Sequence, residues 1–362
     1  MNFLDKFRDP ELCRNLIELI REESRGLRFM EVCGTHTVSI FQSGIHTLLP
    51  ENVVHLTGPG CPVCVTHDRE VAAYLELASR PGVTIATFGD LMKVPGPKGR
   101  NLKTAQADGA DVRVIYSPFD ALDLASKLPE RKVVFLGIGF ETTAPAVAAT
   151  IKAARARKLA NFSVLCFHKL VPPALRGLLS DPDTRIEGFI LPGHVSAVIG
   201  LEPYKFLGAE YGLPAAIAGF EPLDLLQALL FLVRQKNSGG REVVNQYRRV
   251  VADGGNPKAV EVMYEVFEPA DALWRGIGTI PGSGLAMREE YAGFDAFRAL
   301  DLTLPDVAPL PGCRCGEVLK GKMRPDECPL FKKACTPASP VGPCMVSTEG
   351  SCAAYFKYHL DL

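Results

Sequence analysis

Three observations predict an α/β protein of two tandem, related parallel-sheet domains with a third, mainly helical and irregular domain. Short apolar runs rich in β-branched and aromatic residues recur through the first two thirds of the chain. Helical patterns alternate with them, and strands that are apolar on both faces and separated by helices pack as parallel sheets. Two stretches about a hundred residues apart, YSPFDALDLASKL (116–128) and GFEPLDLLQALLFL (219–232), follow one plan of strand, x-Pro-x-Asp turn and apolar helix. That separation is the size of a small domain, so the two halves read as relatives.

The chain opens on MNFLDKFRDPELCRNLIELI, which mixes charges with apolar residues at helical spacing and lacks the apolar core and cleavage site of a signal peptide. Residues 1–24 are assigned to the third domain. The first α/β domain, 25–125, holds FMEVCG (29–34), NVVHLTGPG (52–60), VTIATFGD (83–90) and VRVIYSP (112–118), with REVAAYLELAS (69–79) as a helix between them. The second, 126–235, holds KVVFLGIGFE (132–141), FSVLCFHK (162–169), IEGFILPGH (186–194) and AAIAGFEP (215–222), with the helix APAVAATIKAARARK (144–158). In both x-Pro-x-Asp turns Pro presets φ for helix entry and the carboxylate can cap free N–H groups. LLQALLFLV (225–233) falls short of the roughly twenty apolar residues that cross a bilayer and reads as a buried helix. The third domain resumes at 236 and runs to 362. QKNSGGRE (235–242) signals a loop, helical segments follow, and RGIGTIPGSG (275–284) is broken by Gly and Pro. The last fifty or so residues show no period. Such a tail has little apolar surface to bury. A bound metal cluster would order it, because metal-binding free energy becomes folding free energy.

Composition narrows the function. Hydrophobic residues make up 47% and charged residues 22%, ordinary for a soluble globular protein, and the formal net charge is −1. No basic stripe follows nucleic-acid phosphates and no run spans a membrane, so a cytoplasmic protein without nucleic-acid or membrane partners is expected. Eleven cysteines in a reducing compartment are not structural disulfides. Cys13 and Cys166 stand alone in apolar or helical settings and read as packing residues. The other nine fall into two groups, Cys33/Cys61/Cys64 and Cys313 to Cys352, which favours metal or redox chemistry.

In the tail, Cys313, Cys315, Cys328, Cys335, Cys344 and Cys352 lie within forty residues, the last four spaced x6, x8 and x7. Four thiolates without a nearby histidine suit a [4Fe–4S] cluster or a structural zinc, and these four lack the paired knuckles usual for zinc. The pair Cys313/Cys315 could replace one ligand or sit beside a cluster as a dithiol. Near the front, Cys33 ends a predicted strand and precedes Gly34, Thr35 and His36. Strand carboxyl ends are where open α/β sheets place their chemistry. A thiol there, close to an imidazole and to free helix N–H groups, is expected to have a lowered pKa. Thiolate and imidazole hold low-valent iron, copper or zinc; the plainer alternative is a buried Cys with a capping Thr. In GPGCPVC (58–64) the glycines permit close backbone approach and Pro62 stiffens the turn between Cys61 and Cys64. A reversible disulfide and a metal-binding pair are both feasible there. His67 and Asp68 read as a helix start. GFETTAP (139–145) and LPGHVSAVIG (191–200) end other strands, so Glu141 and His194 would face the mouth of a sheet to orient a ligand or relay a proton. Capping is the alternative for Glu141.

Taken together, CGTHT (33–37), GPGCPVC, GFETT (139–143), PGH (192–194) and the terminal CRCG, ECPLF, ACTP and PVGPCMVSTEGSC resemble the HypD family of hydrogenase maturation factors over essentially the whole chain. The resemblance implies a scaffold on which the Fe(CN)2(CO) unit of [NiFe] hydrogenases is built together with a small HypC-type chaperone. Cyanide would arrive as a thiocyanate on a HypE-type donor. It also implies that Cys33 is the iron ligand with His36 beside it, and that Cys61 and Cys64 form a redox dithiol near that iron. Cys328, Cys335, Cys344 and Cys352 would hold a [4Fe–4S] cluster with Glu349 nearby, making the third domain an iron–sulfur domain. Attaching cyanide from a thiocyanate is a reductive cleavage, for which a cluster and a dithiol would supply electrons. Two rival readings use the same residues: an iron–sulfur-dependent thiol–disulfide oxidoreductase, and a non-catalytic zinc-binding scaffold.

Overall fold

Each of the eight apolar runs forms a strand in the computed structural model, which describes residues 3–358. Residues 1, 2 and 359–362, which belong to the predicted third domain, lie outside the described residues. The strands are β1 (Leu27–Glu31), β2 (Val53–Thr57), β3 (Val83–Thr87), β4 (Asp111–Val114), β5 (Lys132–Gly137), β6 (Phe162–Cys166), β7 (Gly188–Pro192) and β8 (Ala215–Ala218), with a short β9 (Val243–Asn245) added. They form two parallel sheets, ordered β2-β1-β7-β8-β9 and β4-β3-β5-β6. Counted in chain order, both sheets begin 2-1-3-4, the doubly wound arrangement in which winding reverses beside the first strand. Ligands of such sheets bind at the carboxyl ends of the two strands that flank the reversal. Here these are β1 and β7 in one sheet and β3 and β5 in the other.

The fold class agrees with the prediction, but the strands do not divide at residue 125. β1 pairs with β7 (Phe29 beside Gly188), so the sheet of residues 83–166 is inserted in the connection from β2 to β7. Every run has the same apolar character, and local pattern cannot say which distant run a strand will choose. The two matching strand–turn–helix stretches follow β4 and β8, the second strand of one sheet and the fourth of the other. They share a local plan and not a topological position.

Side chains alternate across each strand, which fills two layers from one run. Val133 and Phe135 of β5 pack with Val147 and Ile151 of the helix Ala144–Ala156. Val134 and Leu136 enter a core shared by both sheets and the cysteine-rich tail. Likewise Leu27 and Phe29 meet Ile17 and Ile20 of the helix Pro10–Glu23 and Leu225 and Leu229 of the helix Pro222–Ser238, whereas Met30 enters the shared core. The first of these helices starts where Asp9 accepts from the Glu11 and Leu12 N–H groups, with Pro10 next. The second contains the apolar run 225–233 and stops at Gly239, in the left-handed conformation at φ 70°. Among the described residues no helix is long and apolar enough to cross a membrane.

The stretch expected to be broken by Gly and Pro is a hairpin. β10 (Phe267–Trp274) and β11 (Gly278–Met287) pair antiparallel, and Gly276 and Gly278 supply the positive φ of their turn. The hairpin straps the inserted sheet to the thiol loop: Arg275 N–H donates to Val65 O, and Leu170 N–H to Ser283 O. Beyond it the tail is short helices and turns.

Candidate functional site

Cys33 stands at the reversal point of the first sheet, as the extended N-cap residue of the helix Gly34–Gln42 that follows β1. It lines a cleft of about 440 Å³ with Gly60 and Pro62 of the thiol loop, Thr142 and Thr143 after β5, His194 after β7 and Glu349 of the tail. The reversal point of the first sheet and the β5 end of the second therefore open into one cleft. Glycine is required where the loop crosses Cys33, since a Cβ on Gly60 would lie 2.2 Å from Cys33 N and 2.4 Å from the Val32 carbonyl carbon. Gly34 N–H donates to Gly60 O, and a Cβ on Gly34 would lie 2.6 Å from the Glu349 Cβ. Loop and tail thus press on the backbone to either side of the thiol.

A residue that sequence reasoning missed holds this corner. Glu31, fully buried at the end of β1, accepts from Cys33 N–H (3.0 Å) and from the Thr37 hydroxyl (2.6 Å), with His55 Nε2 at 3.6 Å. Burial pushes its carboxyl above the usual range. The signal was the lone acid in the apolar run FMEVCG (29–34). Cys33 itself departs from the expected lowering: burial pushes its thiol up to about 12, and the Glu349 and Glu31 carboxylates add to the shift. The N–H groups of His36 and Thr35 do oppose it, as a helix start should, but desolvation outweighs them. At ordinary pH this sulfur is therefore held as a thiol.

The His36 ring turns away from this sulfur. Its Nε2–H donates to the Ala218 and Gly219 carbonyls at the end of β8 (3.2 and 3.0 Å), its face tilts against Phe220, and it does not line the cleft. Burial pushes its pKa down to about 4, so it is a neutral tie between helix and sheet. His194 does line the cleft, exposed on one side and stacked on Phe220, and partial desolvation lowers its pKa, which favours the neutral ring. The Thr35 hydroxyl donates to Glu349 (2.7 Å) across one side. Glu141 takes its capping alternative: it accepts from Val171 N–H (2.9 Å) at the helix Val171–Leu179, and burial pushes it up to about 7. His67 caps the helix Asp68–Ala78, with Glu70 returning the hydrogen bond, as a helix-start residue should.

Cys61 and Cys64 are buried at the two ends of one helical turn, and Cys61 Sγ accepts from Cys64 N–H (3.2 Å). The Cys64 thiol touches those of Cys61 and Cys344. Cys344 also touches Cys315 and Cys352, and Cys315 touches Cys313, so sulfur contacts sulfur from the loop into the tail. Beyond that junction lies a hollow lined by Cys313, Cys315, Cys328, Cys335 and Cys352. Gly342 completes its wall, and a Cβ there would stand 2.5 Å from Cys313 Sγ and 2.9 Å from Cys315 Sγ. Cys344 lies outside this lining, on the side of Cys64. Among the described residues no three His, Cys, Asp or Glu side chains converge as they would on a single metal ion. Cys13 packs against the outer core and Cys166 against His168 and the Leu285 carbonyl, both apart from this chain of thiols.

The model of the HypD family, described as "Hydrogenase formation hypA family", matches residues 11–359. The chain belongs to the HypD family. It is 48% identical to the hydrogenase maturation factor HypD of Escherichia coli, over 99% of this chain and 98% of that protein. It is 47% identical to that of Cupriavidus necator and 46% identical to that of Rhizobium leguminosarum, over 99% of this chain and 97% and 96% of those proteins. In this HypD chain the fold draws Cys33, His194 and Glu349 into the cleft beside the loop that carries Cys61 and Cys64, whose thiols lie outside the cleft lining at one end of the sulfur chain. Cys328 and Cys335 lie at the other, and the His36 ring is left out.

Proposed function

We propose that this HypD protein is a cytoplasmic scaffold for building the Fe(CN)2(CO) unit of [NiFe] hydrogenases. Iron, the substrate, is held at Cys33 together with a HypC-type chaperone, and cyanide comes from a HypE-type donor. One observation carries the reading: Cys33 lines an open cleft where the first sheet's reversal point meets the β5 end of the second, and the loop pressing on it begins a chain of touching thiols. Iron binding displaces the thiol proton, and the N–H groups of Thr35 and His36 then stabilise the thiolate that burial alone disfavours. Thr142, Thr143 and the neutral His194 offer hydrogen bonds to the nitrogen ends of bound cyanide.

The tail hollow suits a [4Fe–4S] cluster by its donors, since five thiols line it and Gly342 admits the close approach of two of them. Cys344 lies outside that lining, so the ligand set we infer is Cys313, Cys328, Cys335 and Cys352, with Cys313 in the part expected of Cys344 and Cys315 left to pair with Cys344. When bound, such a cluster stores and passes single electrons. Cys315 with Cys344 and Cys61 with Cys64 are then two dithiols in series. Thiol–disulfide exchange between them, each step breaking one S–S bond as another forms, carries two electrons to the loop beside Cys33.

Anaerobic protein purified with its small partner is expected to show infrared bands of iron-bound cyanide and carbonyl, absent from C33S. C313S should lose cluster iron and sulfide while C344S keeps them; the opposite result restores Cys344 as a ligand. Zinc in the hollow would support the non-catalytic scaffold. Disulfide turnover undiminished in C33S, without the infrared bands, would support the oxidoreductase.

A further inference from the structure

We propose that Arg275 is a positioning residue whose buried positive charge poises the tail's sulfur centre for reduction. This rests on reading the tail hollow as a cluster site. Arg275 lies at the tip of the β10–β11 hairpin and is 5% exposed, so its guanidinium has little water and must find partners in the protein. Nε donates to Thr66 O (3.0 Å) and Nη1 to the buried Asp68, while Nη2 is buried without a partner. A guanidinium carries five N–H donors and cannot shed its proton. Its free donors suit an anionic sulfur, and Arg275 shares the wall of a cavity of about 210 Å³ with Cys313 and Cys315. Its charge also acts on Cys344.

The backbone holds the group in place. Arg275 N–H donates to Val65 O, one residue beyond Cys64. Gly276, at φ 75°, abuts Gly316 so closely that a Cβ would lie 2.1 Å from the Gly316 Cα. RGIG and CRCG are therefore a matched contact that sets the cation where the loop's thiols meet those of the tail. Arg314 lines the same cavity but is exposed, where water and salt screen it.

Adding one electron to a centre held by four thiolates adds one negative charge and takes up no proton. A fixed cation nearby stabilises the reduced form, and the neighbouring Asp68 carboxylate opposes it. The test is an EPR-monitored redox titration of anaerobic, cluster-loaded full-length protein, with iron and sulfide counted, for wild type, R275Q, R275K and D68N. R275Q is expected to reduce about tenfold less favourably, a fall of about 59 mV for one electron. R275K should stay near wild type, and D68N should shift upward. Loosening of the structure would move both partners of one ion pair the same way, so opposite shifts separate charge from fold. Should R275Q fail to fold, the upward shift of D68N decides. A loaded centre with unchanged potential, or with both variants shifted alike, overturns the inference alone. Protein without four irons and sulfide overturns the reading of the hollow, and the inference with it.

Discussion

Replacing Gly60 with Ala sets a methyl carbon where the thiol loop crosses Cys33. It would stand 2.2 Å from Cys33 N, 2.4 Å from Val32 C and 2.5 Å from Cys33 Cα. All three are backbone atoms, so no rotamer relieves the clash, and the loop must part from the strand end. A displacement of about 1 Å is the scale at which misplaced reacting groups lose about a hundredfold in rate. Overpacking of this kind also costs about 1–3 kcal/mol of stability. The control is Gly254→Ala, where an added Cβ meets nothing within 4 Å, and which should stay within about 0.5 kcal/mol of wild type. The assays are the urea midpoint of anaerobic protein and hydrogenase activity in cells that lack their own HypD. G60A should lower the midpoint and cut maturation about a hundredfold, with tail iron and sulfide retained. Wild-type maturation at an unshifted midpoint would mean that the loop does not bear on Cys33, and the convergence argument would fail.

Burial raises Glu141 from 4.5 to about 7, so the native state keeps a proton that the unfolded chain releases. Stability is then greatest below the unfolded value, falls through that interval and levels off above it, by about 3 kcal/mol at most. E141Q should flatten this slope in urea titrations run at several pH values; an unchanged slope assigns it to another group. E31A leaves the Cys33 N–H without its acceptor and the Thr37 hydroxyl with only the longer bond to Cys33 O, at about 1–3 kcal/mol, read by chemical denaturation, and E31Q should recover part. H36A should cost about 1–3 kcal/mol through the lost bonds to the β8 end, with iron bound per folded molecule unchanged. Iron lost at full stability would return that imidazole to the metal.

Much of this protein was legible in its residues because the physics involved is local. Eight apolar runs became eight strands, LLQALLFLV became a buried helix, and His67 began one, since side-chain period and capping act over a few residues. The grouping of nine cysteines and the motifs CGTHT, GPGCPVC and GFETT identified the family in the same way. Other features depend on contacts between distant residues. The choice of β7 as partner for β1, the strap formed by 267–287, the burial that keeps Cys33 a thiol, and the turn of His36 toward the β8 end each need a neighbour far along the chain. So does the placing of Cys344 between Cys64 and the hollow's wall, outside its lining. Residue order by itself determined the elements and the supply of sulfur. Only the packed structure decided which sulfurs touch and which are charged, because desolvation and contact are properties of the surroundings and not of the residue.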